Sequence, residues 1–294
     1  MVQRSTEARH PASEGLHKAP ADAVMSALLE AQTAALHSVR LAFPALEEAG
    51  VRAAKALQAG GKLAYVGAGS SGLMALSDCL ELAGTFGIPP ERTPMLFAGG
   101  AAALLHMTGA VEDDPALAQA DFIRANLTKG DVALCLSASG TTPYTLEITR
   151  LCKEAGVFTV GIANVADAAL LRAADLAVLL DTGPEVVSGS TRMGAATAQK
   201  LALNMISVQA GLLLGHVHDG YMVNVIADNA KLRDRAARIV AAVSGQSETA
   251  SRAALEATKG AVKPAILVAR GRSTAAAVEN LEQSYGHLEP WLKD

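Results

Sequence analysis

The sequence predicts an α/β fold in which a parallel sheet is covered by helices on both faces. Short apolar runs typical of buried strands alternate with amphipathic helical patterns, and the first and third runs end in loops rich in glycine and hydroxyl residues. The predicted strands are Leu63 to Val66, Met95 to Ala98, Asp131 to Ser137, Val157 to Ile162 and the run LAVLLD ending at Asp181. Ligands of such folds bind where the loops leave the carboxyl ends of the strands.

Helical segments flank this alternating region. Residues 24 to 57 have apolar residues at three and four spacing, with a break near Pro44, so two helices precede the first strand. A long apolar helix, buried or shared with a partner subunit, is predicted over 190 to 214. Beyond Gly220 a helical subdomain with one strand, PAILVAR at 264 to 270, is expected. We therefore predict an N-terminal arm with helices (1–50), a sheet domain (51–220) and a mostly helical C-terminal subdomain (221–294).

Composition excludes several classes of partner. The formal net charge is −4 and there is no Lys/Arg-rich run, which argues against nucleic acid and anionic membranes. The three cysteines form no CxxC pair and lie in apolar contexts, as in a reduced cytoplasmic protein. The N-terminus lacks a signal-peptide core and no apolar run reaches the roughly 20 residues that span a bilayer. A cytoplasmic location is expected.

The loop after the first strand, in KLAYVGAGSSG at 62 to 72, has the features of an anion site. Gly67 and Gly69 permit a sharp turn, Ser70 or Ser71 can cap the following helix, and helix amides point at the loop. Gly67, Gly69 and Gly72 also satisfy a dinucleotide-binding fingerprint. That fingerprint also requires an acidic residue at the end of the next strand, and this chain has none there. A compact phosphate is therefore the better candidate ligand.

A second loop repeats this design after the strand at 131 to 137. Its hydroxyl residues, together with those of the first loop, can satisfy the acceptor oxygens of a phosphate without a lysine. Each serine could alternatively be only a helix cap. The candidate phosphate-binding residues of the two loops are Gly69, Ser70, Ser71, Ser137, Ser139, Thr141 and Thr142.

Other polar residues are weaker candidates. Glu185 and Lys200 could contact a sugar or form a structural ion pair. His216 and His218 have the spacing of a metal pair on a strand, but no third ligand is nearby, so we expect no metal site.

The two loops, YVGAGSSG and CLSASGTTP, resemble those of the sugar isomerase (SIS) domain, which binds phosphosugars. Along nearly its whole length the chain resembles the N-acetylmuramic acid 6-phosphate etherase family, which is related to the glucokinase regulatory protein. The stretches that carry this resemblance are Thr6-Glu7, GAGSSG (67–72), DCLE (78–81), TFGIPP (85–90), FAGG (97–100), EDD (112–114), SASGTTPY (137–144), GPEVVSGSTRM (183–193), TAQKLALNM (197–205) and NAKLRDRA (229–236).

The resemblance implies a lyase of amino sugar metabolism and peptidoglycan recycling. Such enzymes split the C3 lactyl ether of a phosphorylated amino sugar, giving N-acetylglucosamine 6-phosphate and D-lactate, without metal or nucleotide cofactor. It places the catalytic glutamates on Glu81, the proton donor to lactate, and Glu112, the base at C2. Apolar neighbours in SDCLELAGTF are expected to raise the pKa of Glu81. A homodimer with the site near its interface is also expected.

The chain departs from the family pattern at two places. Leu73 replaces the usual arginine after the glycine turn, and Leu82, Ala83 and Gly84 replace a segment with two prolines. Arg192 or Lys200 could bind the lactyl carboxylate in place of the missing arginine. The alternative functions are an aldose-ketose isomerase, which also removes the C2 proton, and a non-catalytic phosphosugar sensor.

Overall fold

A computed structural model describes residues 5–225, 227 and 230–293 of this chain. Two segments of the sequence analysis fall partly outside this range, namely the first four residues of the N-terminal arm and Asn229 of the segment 229 to 236. By its contacts the chain divides into two units, Met1–Cys79 with Glu91–Ser207, and Leu80–Pro90 with Val208–Asp294. The division at residues 50 and 220 that we expected from the sequence stays a prediction.

The first unit is built on a parallel five-stranded sheet of order β2-β1-β3-β4-β5. Each of the five predicted strands is present, so the predicted parallel sheet is confirmed. In β1 and β3 every residue is buried, as continuous apolar runs require. The strands are β1 (Leu63–Gly67), β2 (Met95–Phe97), β3 (Val132–Leu136), β4 (Phe158–Ala163) and β5 (Leu176–Leu179).

Helices flank the sheet, and two of them, α1 and α2, precede β1 as predicted. The break between these two lies at Ala42, and Pro44 occupies the first turn of α2, where its missing N–H costs nothing. The helices before the hairpin of the second unit are α1 (Ala21–Leu41), α2 (Phe43–Gln58), α3 (Gly69–Phe86), α4 (Gly100–Leu105), α5 (Pro115–Ala125), α6 (Pro143–Glu154), α7 (Ala169–Ala173) and α8 (Gly194–Leu213). The last residues of α3 and of α8 belong to the second unit. Short 3-10 helices cover Ser5–Glu7, Pro11–Ser13, Leu16–Lys18, Pro90–Arg92 and Gly109–Asp113.

The core of the first unit consists mainly of small aliphatic side chains and cysteines. Ala64 and Val66 of β1 pack with Cys135 of β3, and Ile148 and Leu170 cover them from α6 and α7. All three cysteines are unpaired and buried. A chain with only 3% aromatic residues therefore fills its interior with Ala, Val, Leu and Ile at close packing.

The N-terminal arm is held by hydrogen bonds to the loop that follows β5. Ser13 Oγ donates to the carbonyl of Val186 over 2.7 Å, and Ser188 Oγ lies 3.3 Å from the carbonyl of Glu7. Thr6, which precedes Glu7 in the chain, is buried. The arm therefore packs onto the segment GPEVVSGSTRM through Ser13 and through the backbone carbonyls of Glu7 and Ala8.

The second unit is helical, with one small hairpin, β6 (Val217–His218) and β7 (Tyr221–Met222). Its core contains Val223, Val240, Ile266, Leu267 and Leu288. Its helices are α9 (Ala230–Ser244), α10 (Glu248–Ala257), α11 (Val262–Ala269), α12 (Thr274–Gln283) and α13 (Glu289–Leu292). Of the residues described, no helix is both long enough and apolar enough to cross a bilayer.

The predicted strand at 264 to 270 is wrong, because PAILVAR lies in helix α11 and its C-cap. A short apolar run buried on all sides has no periodicity that separates strand from helix. Pro264 also fits the first turn of α11, where no intrahelical N–H is needed. The hairpin before α9 was not expected from the sequence.

Candidate functional site

Two loops emerge side by side at the carboxyl edge of the sheet. Strands β1 and β3 are adjacent and in register, with Gly67 opposite Leu136, so the residues that follow them meet. The backbone N–H of Ala138 in the second loop donates to Ser71 Oγ in the first over 3.2 Å. We call the two loops, Gly69 to Ser71 and Ser137 to Thr142, the hydroxyl cradle. The sequence predicted that these residues converge, and the structure brings them together.

The second loop is organised by Ser137, which is 3% exposed. Its Oγ accepts the N–H of Gly140 over 3.0 Å and lies 2.8 Å from Thr142 Oγ1. Ser139 Oγ and Thr141 Oγ1 form a second pair at 3.1 Å. The loop therefore has a fixed shape before any ligand binds.

The hydroxyls of the cradle divide into two groups by exposure. Ser71 and Ser137 are buried and hydrogen-bonded to protein, so they set the geometry of the loops. Ser70, Ser139 and Thr141 are partly exposed, as is Thr142. These four are the side chains that a ligand in the cradle can reach.

The start of α3 differs from the prediction. We expected Ser70 or Ser71 to cap a helix beginning near Leu73, but the helix begins at Gly69, and both serines lie in its first turn. Helix α6 begins at Pro143 after Thr142, whose side chain makes no capping bond. Pro143 has no N–H, so the first amides of α6 are those of Tyr144 and Thr145, and Thr142 does not cap them, which favours an anion there.

Glu112 lies directly against the cradle. It belongs to the 3-10 helix Gly109–Asp113, and its Oε1 lies 2.6 Å from the position that a Cβ atom on Gly69 would occupy. Only a glycine, here with φ of +53°, leaves room for this carboxylate. Val111 of the same 3-10 helix is partly buried and packs against the core of the first unit.

The carboxylate of Glu112 has a raised pKa and no partner among the described residues. Partial burial raises its pKa above the ordinary value, and the negative charge of Asp113 raises it further. None of the described residues donates a hydrogen bond or forms an ion pair to it. A base needs a free carboxylate with a pKa closer to neutrality, and Glu112 has both properties.

Glu81 lies on the exposed side of α3, in the second unit. The apolar surroundings that we expected for it are absent in the single chain, since Cys79 and Leu82 turn inward while Leu80 and Glu81 turn outward. The helix also continues to Phe86, so Glu81 is not at its end. Its predicted role as proton donor stays a prediction.

Glu185 is engaged in the protein and is 4% exposed. Its two carboxylate oxygens accept the N–H groups of Gly194 and Ala195, over 3.0 and 2.9 Å, at the start of α8. The alternative of an ion pair with Lys200 is wrong, because Lys200 is exposed and forms no ion pair with a described residue. Arg192 is exposed as well. Sugar binding by Glu185 or Lys200 stays a prediction.

Sequence reasoning missed the role of Asp78, one turn before Glu81. Asp78 is 4% exposed and accepts hydrogen bonds from Tyr65 Oη over 2.7 Å, Asn204 Nδ2 over 2.6 Å and Ser207 Oγ over 3.0 Å. It therefore ties α3 to β1 and α8. The available signal was an aspartate on the inward stripe of an otherwise apolar helix, since a buried carboxylate needs partners.

A metal site was not expected, and His216 and His218 were the residues considered. Within the described part of the chain, no group of three or more His, Cys, Asp or Glu side chains could hold a metal ion. His216 instead lies among basic side chains of the second unit, as described below.

Comparison with known proteins agrees with this geometry. The SIS domain model matches residues 28–164, which include β1, β3 and the hydroxyl cradle. A crystal structure from Bacteroides fragilis NCTC 9343, provisionally assigned as a phosphosugar isomerase involved in capsule formation, aligns with a TM-score of 0.50 at 22% identity. The alignment covers 67% of this chain and 99% of that one. The predicted SIS-type fold is confirmed.

Curated relatives match along nearly the whole chain. An N-acetylmuramic acid 6-phosphate etherase of Deinococcus radiodurans is 44% identical over 290 residues, which is 98% of this chain and 95% of the relative. One from Yersinia pestis (strain Pestoides F) is 40% identical over 288 residues, or 98% of each chain. Because these relatives are 40–44% identical over nearly the full length of both chains, this chain belongs to the N-acetylmuramic acid 6-phosphate etherase family.

Proposed function

We propose that this chain is a lyase that cleaves the C3 lactyl ether of N-acetylmuramic acid 6-phosphate. The products are N-acetylglucosamine 6-phosphate and D-lactate, and one water is consumed. Family membership supports the reaction, and the observation that carries the site is the free Glu112 carboxylate against Gly69 of the hydroxyl cradle. A phosphate held by the cradle would bring the sugar within reach of this base.

In the proposed binding mode, the 6-phosphate accepts hydrogen bonds from the exposed hydroxyls of the cradle. Ser70, Ser139, Thr141 and Thr142 supply the donors, together with the first amides of α3 and α6. Ser71 and Ser137 hold the two loops in place. Glu185 acts indirectly by capping α8, and Lys200 remains a candidate contact for the lactyl carboxylate.

The proposed chemistry begins with the open-chain sugar, whose C1 aldehyde acidifies the proton on C2. Glu112 removes that proton, the C2–C3 double bond forms and the C3–O bond breaks, while Glu81 donates a proton to the departing lactate oxygen. In the hydration step that follows, Glu81 takes a proton from a water molecule while the oxygen of that water adds to C3. Glu112 then returns its proton to C2.

The experiment that tests this function measures D-lactate release from N-acetylmuramic acid 6-phosphate. Wild type should release lactate, and both Glu112→Gln and Glu81→Gln should lower the rate by roughly 10²-fold or more. Glu91→Gln, which changes an exposed glutamate of the 3-10 helix Pro90–Arg92, is the matched control and should leave the rate unchanged.

Hydrogen exchange in D₂O separates the two glutamates. Glu81→Gln keeps the base, so it should still exchange the C2 hydrogen with solvent while releasing little lactate. Glu112→Gln should do neither. If folded wild type binds N-acetylglucosamine 6-phosphate but releases no lactate, the etherase proposal fails. Ketose formation under these conditions would identify an isomerase, and binding without any turnover a sensor.

We also propose that the protein works as a cytoplasmic homodimer. Support comes from apolar side chains that are exposed one turn apart in the single chain, such as Val208 and Leu212 of α8, each 45% exposed. Light scattering coupled to size-exclusion chromatography measures the mass. A single-chain mass, without increase at high concentration, would refute the dimer.

A further inference from the structure

The second unit contains a buried lysine that has no carboxylate partner among the described residues. Lys263, the second residue of α11, is 7% exposed. No residue in the described ranges forms a hydrogen bond or an ion pair with its ammonium group. Burying an ammonium group without a partner is costly, so such a group is retained only if the cost is offset.

The titratable groups near Lys263 are histidines and a second lysine, which are cations when protonated. Burial lowers the pKa of His216 to about 4, and the charges of Lys263 and His287 contribute to that shift. The Nδ1 atom of His216 is buried and has no hydrogen-bond partner among the described residues. Burial also lowers the pKa of Lys263 itself to about 8. Lys259, which precedes α11 in the chain and lines the same cleft as Lys263, adds a further cation.

Lys259 and Lys263 both line a cleft of about 330 Å³ in the second unit. This volume lies at the small end of the range for ligand sites in proteins. Besides Lys263, the cleft is lined by Gly87, Asn224, Lys259 and the residues 260–262 and 264 at the start of α11.

The start of α11 adds a second attraction for an anion. No side chain caps this helix of eight residues, so the N–H groups of Val262 and Lys263 point out of its positive end. They lie in the wall of the same cleft as the buried lysine. A lysine that is 7% exposed and uncapped helix amides thus line one cavity.

We propose that this cleft binds a compact oxyanion, a carboxylate or a phosphate, between Lys263 and the first amides of α11. The anion supplies the counter-charge that the described protein residues do not provide. The site is separate from the hydroxyl cradle, which lies in the first unit, and the proposal does not rest on the etherase reaction.

The test observes Lys263 itself, because phosphate could also bind the cradle. In wild type with isotope-labelled lysine, the NMR signal of the Lys263 side chain is titrated with pH, alone and with inorganic phosphate or D-lactate. A bound anion should raise the pKa of Lys263, since it stabilises the ammonium form. Sodium chloride at equal ionic strength is the control and should give a smaller shift.

Two variants sharpen the result. In Lys259→Met, the control at the rim of the cleft, the anion should still raise the pKa of Lys263. Lys263→Met should weaken calorimetric binding of the active anion at least tenfold, measured in a Ser139→Ala background that weakens the cradle. If neither phosphate nor lactate raises the pKa of Lys263 beyond the chloride control, the proposal is overturned, whether or not the Lys263→Met variant folds. The responding anion identifies the ligand as phosphate or carboxylate.

Discussion

The position and the pKa of the Glu112 carboxylate depend on two neighbouring residues, Gly69 and Asp113. Gly69 admits the carboxylate to the cradle, and Asp113 adds a negative charge that raises the pKa of Glu112 beyond the effect of burial. The proposed base therefore ionises at a higher pH than an ordinary glutamate. This affects the pH dependence of catalysis, because only the ionised form can accept the C2 proton.

Replacing Asp113 by Asn should shift the acidic limb of the kcat/KM profile to lower pH. Removing the negative charge stabilises the Glu112 carboxylate, so its pKa falls and the base is active at lower pH. The profile is measured by lactate release over a series of buffers. Asp114→Asn is the matched control, since Asp114 caps α5 through the N–H groups of Ala116 and Leu117 and does not contribute to the shift. An unshifted limb in Asp113→Asn would show that another group controls it.

At the residue level, the sequence identified the two hydroxyl loops. It did not show which hydroxyls are buried and hold the loops and which are exposed to a ligand. The pattern of strand, glycine and serine indicates an anion site at each loop. It does not show that Ser71 accepts a bond from Ala138 or that Ser137 pairs with Thr142, because these contacts depend on the register of β1 and β3. The sequence also did not decide whether Glu81 is buried or exposed, since apolar neighbours in sequence need not be neighbours on one face of a helix.

Among the elements, α8 depends on a cap that comes from far along the chain. No capping residue directly precedes Gly194, and the buried carboxylate of Glu185 accepts the first two amides instead. This bond fixes the loop after β5 against the helix start. Capping bonds by charged groups are stronger than neutral ones, and loss of a cap leaves the amides buried without a partner.

Glu185→Ala should therefore lower the free energy of unfolding by roughly 1–3 kcal/mol. Urea unfolding followed by circular dichroism measures the change. Glu47→Ala, at an exposed position of α2, is the control and should stay within about 0.5 kcal/mol of wild type. Glu185→Gln, which keeps one acceptor oxygen, should fall between the two. Equal stability of Glu185→Ala and wild type would mean that the cap contributes nothing.

Element prediction succeeded where apolar runs alternate regularly with helical segments, and failed for short elements outside that alternation. Strands β1 to β5 followed from short apolar runs, and the longer helices followed from apolar residues at three and four spacing. The short apolar run in α11 was assigned to a strand, and the two-residue strands of the hairpin were missed. A cap from nine residues upstream, like Glu185, has no local signature either.

On the scale of the whole molecule, the grouping of residues 80–90 with the C-terminal segment was not predicted. A hydrogen bond from Asn224 Nδ2 to the carbonyl of Phe86, over 2.8 Å, is one of the contacts that create this grouping. Such a contact joins residues 138 positions apart, so no local pattern reveals it.

The stability of the second unit should depend on pH in two ranges. Lys263 has a pKa of about 8 in the folded chain against 10.5 ordinarily, so between these values the unfolded chain binds more protons and stability rises with pH. His216 has a pKa of about 4 against 6.5, so stability falls as pH drops through that range. Trp291 is the single tryptophan and lies in the second unit, so its fluorescence reports unfolding there.

Lys263→Met should abolish the alkaline rise and stabilise the chain near neutral pH by up to about 3 kcal/mol. Lys259→Met is the exposed control and should keep the wild-type profile. A rise that persists in Lys263→Met would assign it to another group.

The hydroxyl cradle has a further consequence, which concerns ionic strength. Neither of its two loops carries a cationic side chain, so the phosphate would be held by short-range dipoles of hydroxyl and amide groups instead of opposite full charges. Salt screens full charges over distances of about 10 Å and acts little on hydrogen bonds at contact. Sugar phosphates should thus bind almost equally well in dilute and in concentrated buffer, and competing phosphate esters would be distinguished by shape more than by charge.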